Sequence, residues 1–161
     1  MTAPQLRQAV DRSDAWLSPA PPGPDEWMRY FAHHSRSFRF AARFMPPRER
    51  EQLARVYAWC RYTDDLVDEA ADPSRGAIEA RLATWLRLSE RAHAGERTGI
   101  ALLDRAMPEM AAAHVPFDYA RDLVAGMRMD LHHTPYADLH ELRVYTYRVA
   151  GVIGLWLTEL Y

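Results

Sequence analysis

An arginine and three aspartates crowd into the run RYTDDLVD, which lies inside the longer segment LARVYAWCRYTDDLVDEA from Leu53 to Ala70. On a helix that advances about 100° per residue, Asp64 and Asp68 fall within roughly 40° of each other and of Tyr57. Leu53 and Cys60 flank them on the same side, so both carboxylates are expected to point inward. Burying an ionised carboxylate costs several kcal/mol unless a cation compensates it. Two carboxylates one turn apart therefore call for cations. Oxygen-only ligands suit a hard divalent ion, and Mg2+ keeps several waters while sharing one or two carboxylates with substrate phosphates. Arg61, one turn earlier on the same side, could pair with the carboxylates or meet the anion when it arrives. The competing interpretation is a solvated acidic face, the ordinary place for Asp and Glu; the apolar residues sharing the stripe weigh against it. Asp118 and Asp122 repeat the spacing, but they lie off the stripe of Tyr119, Leu123, Met127 and Asp130 and are expected to be solvated. Asp130 lies on that stripe and is expected to point inward.

The elements that must position these groups are legible from apolar residues recurring every three or four positions. Breaks fall at Pro46-Pro47, Asp72-Pro73, Gly95, Pro116 and Pro135. The pattern predicts helices near 26–43, 48–70, 75–94, 98–113, 117–132 and 138–161, with no alternating strand pattern, so the class is all-α. Residues 1–24, rich in proline, read as a loose leader, and 25–161 as one structured unit. In the last segment Leu139, Leu142, Tyr145, Val149, Val152, Trp156 and Leu160 mark one stripe that runs to the final residues without a cap or polar exit. Such an ending reads as a cut within a helix. An apolar face left exposed near Val149 to Leu160 would favour self-association or a partner.

Composition narrows the function classes. The chain has 161 residues, 48% hydrophobic and 26% charged, the range of one soluble domain. Twenty basic against twenty-two acidic residues give a net charge of −2, which provides no electrostatic footprint for nucleic acid or for anionic membranes. With Cys60 as the single cysteine no intrachain disulfide can form, and a cytoplasmic location is the default expectation. The longest apolar run, Val149 to Leu157, is far short of the roughly 20 residues of a spanning helix, so membrane contact would be peripheral.

Several ordered segments then resemble one family. The run HSRSFRFAARFMPPRER from His34 to Arg50, followed by VYAWCRYTDDLVDE from Val56 to Glu69, resembles the first signature of squalene and phytoene synthases. DLVAGMRMDL from Asp122 to Leu131 and YTYRVAGVIGL from Tyr145 to Leu155 are similar to the next two family segments, in the same order. The resemblance covers roughly residues 26–161. It implies the all-α isoprenoid synthase fold, here as the N-terminal part of an incomplete helical bundle. It also implies Mg2+-dependent, head-to-head condensation of two C15 or C20 prenyl diphosphates. By that resemblance Asp64 and Asp68 would be Mg2+ ligands, with Asp65 beside them as a substrate-binding residue. Ser35 and Arg61 would contact diphosphate oxygens, Asp130 would face the cavity near the diphosphates, and Tyr147 would sit near the reacting carbons. An aromatic face, from Tyr147 or Tyr145, can stabilise positive carbon in a dry pocket. Ala150, Gly151, Gly154 and Thr158 leave room beside Tyr147 for a prenyl chain, although close helix packing accounts for them equally well.

The family's second acidic motif, which reads like QLTNIxRDxxED, is missing from this sequence. One carboxylate pair cannot clamp two diphosphates from opposite walls. The chain is therefore expected to be inactive alone, with a complementary C-terminal half or another copy as partner. The alternative is a noncatalytic half-fold that binds a lipid-like ligand or a partner protein. The adjacent pairs His33-His34 and His132-His133 point about 100° apart on a helix and make no chelating face. Cys60 reads as a packing residue, and the tryptophans Trp59, Trp85 and Trp156 as core or interface aromatics.

Overall fold

A computed structural model describes residues 20–34, 40, 42–69, 74–132 and 135–161. Of the leader, 1–19 lie outside the described residues. The elements are α1 (Trp27–His34), α2 (Pro47–Asp68), α3 (Arg75–His93), α4 (Leu103–Ala112), α5 (Asp118–His132), α6 (Leu139–Thr146), a π-helical turn (Tyr147–Gly151) and α7 (Val152–Leu160). Among the described residues there is no strand, as the apolar periodicity predicts. None of the described helices is long and apolar enough to cross a membrane.

Helix α2 is the axis of the bundle and packs against α1, α3, α4, α5 and α7. It starts with Pro47 in the first turn, where a missing N–H costs nothing. Its buried residues, Leu53, Ala54, Val56, Ala58, Trp59, Cys60, Tyr62, Thr63, Asp65 and Leu66, surround most of the helix, as expected of an element enclosed on several sides. At the α2–α3 contact Trp59 and Trp85 stack at 6.2 Å. Each indole N–H donates to a hydroxyl on the opposite helix, Trp59 to Ser89 Oγ at 3.0 Å and Trp85 to Thr63 Oγ1 at 2.9 Å. Each hydroxyl in turn donates to the carbonyl one turn back, Thr63 to Trp59 and Ser89 to Trp85. Four buried polar groups are thus satisfied reciprocally, which is what permits them at a core contact. Trp156 of α7 closes on Trp59 at 5.4 Å.

Local signals fix the ends. Gly95 at φ 89° closes α3, with Glu96 N–H donating to Arg91 O and Gly95 N–H to Ala92 O, a Schellman ending. His114 takes the same left-handed position after α4, at φ 58°, with Pro116 just beyond. The helix expected from residue 98 starts only at Leu103. The Asp104 carboxylate accepts from Thr98 N–H and Oγ1 and from Gly99 N–H, and so holds 98–102 as a loop across the helix start. Asp138 caps α6, accepting from the N–H groups of His140 and Glu141.

The last segment departs most from the sequence pattern. Leu139 and Leu142 are exposed, whereas Val152 and Trp156 are buried, so the stripe drawn along 139–160 is not one continuous buried face. The π-helical turn divides it. Opposite that turn, a Cβ on Gly126 of α5 would stand 2.8 Å from Val149 Cγ1 and 3.0 Å from Arg148 Cβ. A glycine is required for α5 and the turn to approach this closely. Leu155 and the small residues Ala150, Gly151 and Gly154 remain exposed on α7 and the turn, while Ile153, Leu157 and Leu160 pack partly against the core.

Candidate functional site

The close approach at Gly126 lets Tyr145, Val149 and Ile153 of the last segment share a concavity with the side of α2 that carries Asp64. The result is a concavity of about 270 Å3 lined by Tyr57, Cys60, Arg61 and Asp64 from α2, Leu123, Met127 and Asp130 from α5, and Tyr145, Val149 and Ile153 from the last segment. One end is ionic and the rest is apolar. Arg61 Nη1 lies 2.5 Å from Asp64 Oδ2, and its Nη2 lies 2.6 Å from Asp65 Oδ1. Burial raises the pKa of Asp64; Arg61 opposes that rise, while Asp68, Asp65 and Asp130 add to it. Several carboxylates thus act on one another around a single guanidinium. Tyr145 donates to Asp130, which holds its phenol above the ordinary tyrosine range, with burial adding to the effect. Burial likewise raises the Tyr57 hydroxyl and the Cys60 thiol, which keeps that thiol protonated and inert.

The sequence-expected residues are distributed unevenly. Arg61, Asp64 and Asp130 are brought together, as expected of inward positions. Asp68 is not inward. It is the last residue of α2 and exposed, because the helix leaves the packed part of the bundle after Val67, though it stays close enough to Asp64 to raise its pKa. Asp65, expected to bind substrate beside the metal ligands, is the buried aspartate, 4% exposed, and does not line the concavity. It faces α1, where Tyr30 donates to its Oδ2, a contact that no pattern within α2 could reveal. Tyr147 does not line the concavity. It is 40% exposed, and its hydroxyl lies 3.2 Å from Asp122 Oδ2. Tyr145 takes the place at Asp130. Asp118 is solvated as expected, but Asp122 is half-buried by its contacts with Tyr147 and Arg148. Ser35 lies outside the described residues.

A family profile described as squalene/phytoene synthase matches residues 31–161 of this chain. The chain belongs to the squalene/phytoene synthase family. Among its relatives, the 15-cis-phytoene synthase of Synechococcus elongatus is 35% identical over 138 residues, covering 81% of this chain and 42% of the relative. The phytoene synthase of Arthrospira platensis is 32% identical over 158 residues, covering 95% of this chain and 46% of the relative. A crystal structure of a dehydrosqualene synthase in complex with ligand superposes with a TM-score of 0.72 at 24% identity, over 95% of this chain and 48% of that one. The isoprenoid synthase fold expected from the sequence is thereby shown. The chain spans less than half the length of these family members.

Proposed function

We propose that this chain supplies one wall of a Mg2+-dependent prenyl diphosphate site for head-to-head prenyl transfer, the reaction type of isoprenoid and carotenoid synthesis. The observation that carries this reading is the concavity in which Arg61, Asp64 and Asp130 meet an apolar wall of Leu123, Met127, Val149 and Ile153. A prenyl diphosphate has the matching polarity, with an anionic head and a hydrocarbon tail. Among the described residues no three side chains close on a point as a preformed metal cage would. That suits Mg2+, which completes its shell with water and phosphate oxygens. The donor set also fits, because Asp64 and Asp68 offer only oxygen, and burial, opposed by Arg61 and reinforced by the neighbouring aspartates, disfavours the ionised form of Asp64, a cost that a cation would offset. Asp64 and Asp68 would hold the ion, which when bound supplies charge neutralisation to the departing diphosphate.

The residues of the chain divide the remaining work. Arg61 is placed to turn a guanidinium nitrogen from Asp64 to a diphosphate oxygen once a cation occupies that carboxylate. Tyr145, oriented by Asp130, presents an aromatic ring where positive carbon would develop, so that role falls to Tyr145 rather than Tyr147. Leu123, Met127, Val149 and Ile153 exclude water, which protects a carbocation from capture. Asp65, outside the lining of the concavity, pairs with Arg61 from the α1 side. Ser35 remains a diphosphate contact by family resemblance. A second diphosphate needs carboxylates from an opposite wall, supplied by a complementary half or another copy.

The test has two arms. Mg2+ with a nonhydrolysable prenyl diphosphate analogue is expected to raise the melting temperature, and Asp64→Asn combined with Asp68→Asn is expected to abolish the rise. A rise that survives the double substitution refutes the metal role. Incubation with farnesyl or geranylgeranyl diphosphate is expected to yield no hydrocarbon from the chain alone. A C30 or C40 product is expected only when a protein carrying the second acidic motif is added. Turnover by the chain alone would show that one wall suffices; binding without turnover under every combination would favour the noncatalytic alternative.

A further inference from the structure

The Asp64 side of Arg61 opens to the concavity, but its other partner lies in a different environment. Asp65 is enclosed between α2 and α1, and its two carboxylate oxygens are divided: Oδ2 accepts from the Tyr30 hydroxyl, and Oδ1 is 2.6 Å from Arg61 Nη2. Helix α1 is itself fixed against α2. Trp27 and Phe31, one turn apart, are buried, with Phe31 edge-on to Tyr57 at 5.2 Å and the Trp27 indole N–H donating to Pro22 O at 2.8 Å. Tyr30, in the same turn, is thereby aimed at Asp65.

We propose that Tyr30 and Asp65 form a bracket that keeps Arg61 in the diphosphate site when Asp64 is taken over by a cation, making Tyr30 a positioning residue supplied by a different helix. Arg61 has a long flexible side chain, and its contact with Asp64 is the one a metal ion would disrupt. Without a second anchor the guanidinium would regain its rotamers at the moment the anion arrives, and preorganisation would be lost. Asp65 can serve as that anchor because it is nearly buried and lies outside the lining of the concavity, on the side where it and Tyr30 border a separate hollow of about 390 Å3, and because Tyr30 holds the oxygen that does not face Arg61. Releasing Asp65 from Tyr30 lets the carboxylate rotate away.

The inference rests on the proposed function only for its consequence; the bracket itself is tested without ligand. In the ligand-free protein, NMR of the labelled Arg61 guanidinium is expected to show slow rotation about Cζ–Nε. That restriction should be kept in Asp64→Asn, reduced in Tyr30→Phe and lost in Asp65→Asn. Free rotation in Asp64→Asn together with unchanged restriction in Tyr30→Phe would overturn the bracket. With Mg2+ and inorganic pyrophosphate, Tyr30→Phe is expected to weaken pyrophosphate binding by roughly tenfold, the worth of one charge-assisted hydrogen bond. Mg2+ affinity without pyrophosphate should be unchanged, a split that general loosening would not produce. The double variant with Asp65→Asn should bind no worse than Asp65→Asn alone, because Tyr30 acts through that residue. Additive losses would refute the proposal. If the unsubstituted protein binds no pyrophosphate, the functional reading fails while the rotation measurement still decides the bracket.

Discussion

Helix α2 serves two regions that treat polar groups in opposite ways. Toward α3 it presents Trp59 and Thr63, where every donor meets an acceptor in a reciprocal set with Trp85 and Ser89. Toward α5 and the last segment it presents Arg61 and Asp64, where Asp68 and Asp130 add negative charge around one guanidinium and burial raises the Asp64 pKa. The core contact is closed and needs nothing more. The concavity keeps several carboxylates around Arg61, and the proposed function has a cation and a diphosphate complete it. A single helix can be both the most widely packed element of this fold and one wall of the proposed site because side chains one residue apart point about 100° apart.

The contrast can be broken most severely from the core side. Trp85→Ala removes the stack on Trp59 and the donor to Thr63, and is expected to cost about 3–5 kcal/mol in denaturant unfolding. A loss under about 1 kcal/mol would mean that the tryptophan contact is not central to stability. Gly126→Ala drives a methyl into Val149 and Arg148 and is expected to cost about 1–3 kcal/mol, and to disturb Tyr145 at Asp130 because the turn must move. Unchanged stability with unchanged ligand-induced thermal shift would sink that link.

Smaller effects sharpen the comparison. Thr63→Val keeps the shape but leaves the Trp85 indole N–H without its acceptor, for an expected loss of about 1–2 kcal/mol, whereas Thr63→Ser keeps a hydroxyl and should lose less. Equal losses from both would show that packing, not hydrogen bonding, governs the contact. Asp64→Asn should have the smallest effect and the opposite sign. Burial raises the folded pKa of Asp64 above its ordinary 3.8, so its contribution to stability is complete below that value and is lost as pH rises through the folded pKa. Asparagine cannot ionise, so the variant should melt slightly higher than the parent at neutral pH, with the gap closing as pH falls toward 4. A lower melting temperature at neutral pH would show that pairing with Arg61 outweighs the cost of burial.

Much of the fold was legible in the chain. The apolar spacing located α2, α3, α5 and the last segment, and Gly95 and Pro116 marked turns that the structure makes there. Of the side that periodicity assigns to α2, Tyr57, Cys60 and Asp64 line one concavity, whereas Asp68 is exposed and Leu53 packs in a separate cluster with Phe31. The start of α4 was missed because a side chain reaching back from Asp104 competes with the helical pattern.

What the sequence determined by itself is the all-helical class, the family, and the spacing that puts Arg61 and Asp64 on one side of a helix, because these depend on local periodicity and on motifs of contiguous residues. Tertiary structure decided that Asp65 is enclosed and Asp68 open, and that Tyr145 rather than Tyr147 joins Asp130. Helical geometry fixes the angle between two side chains. Which of them meets solvent depends on which helix packs against each side, and here that is set by Tyr30 of α1 and by the close approach at Gly126.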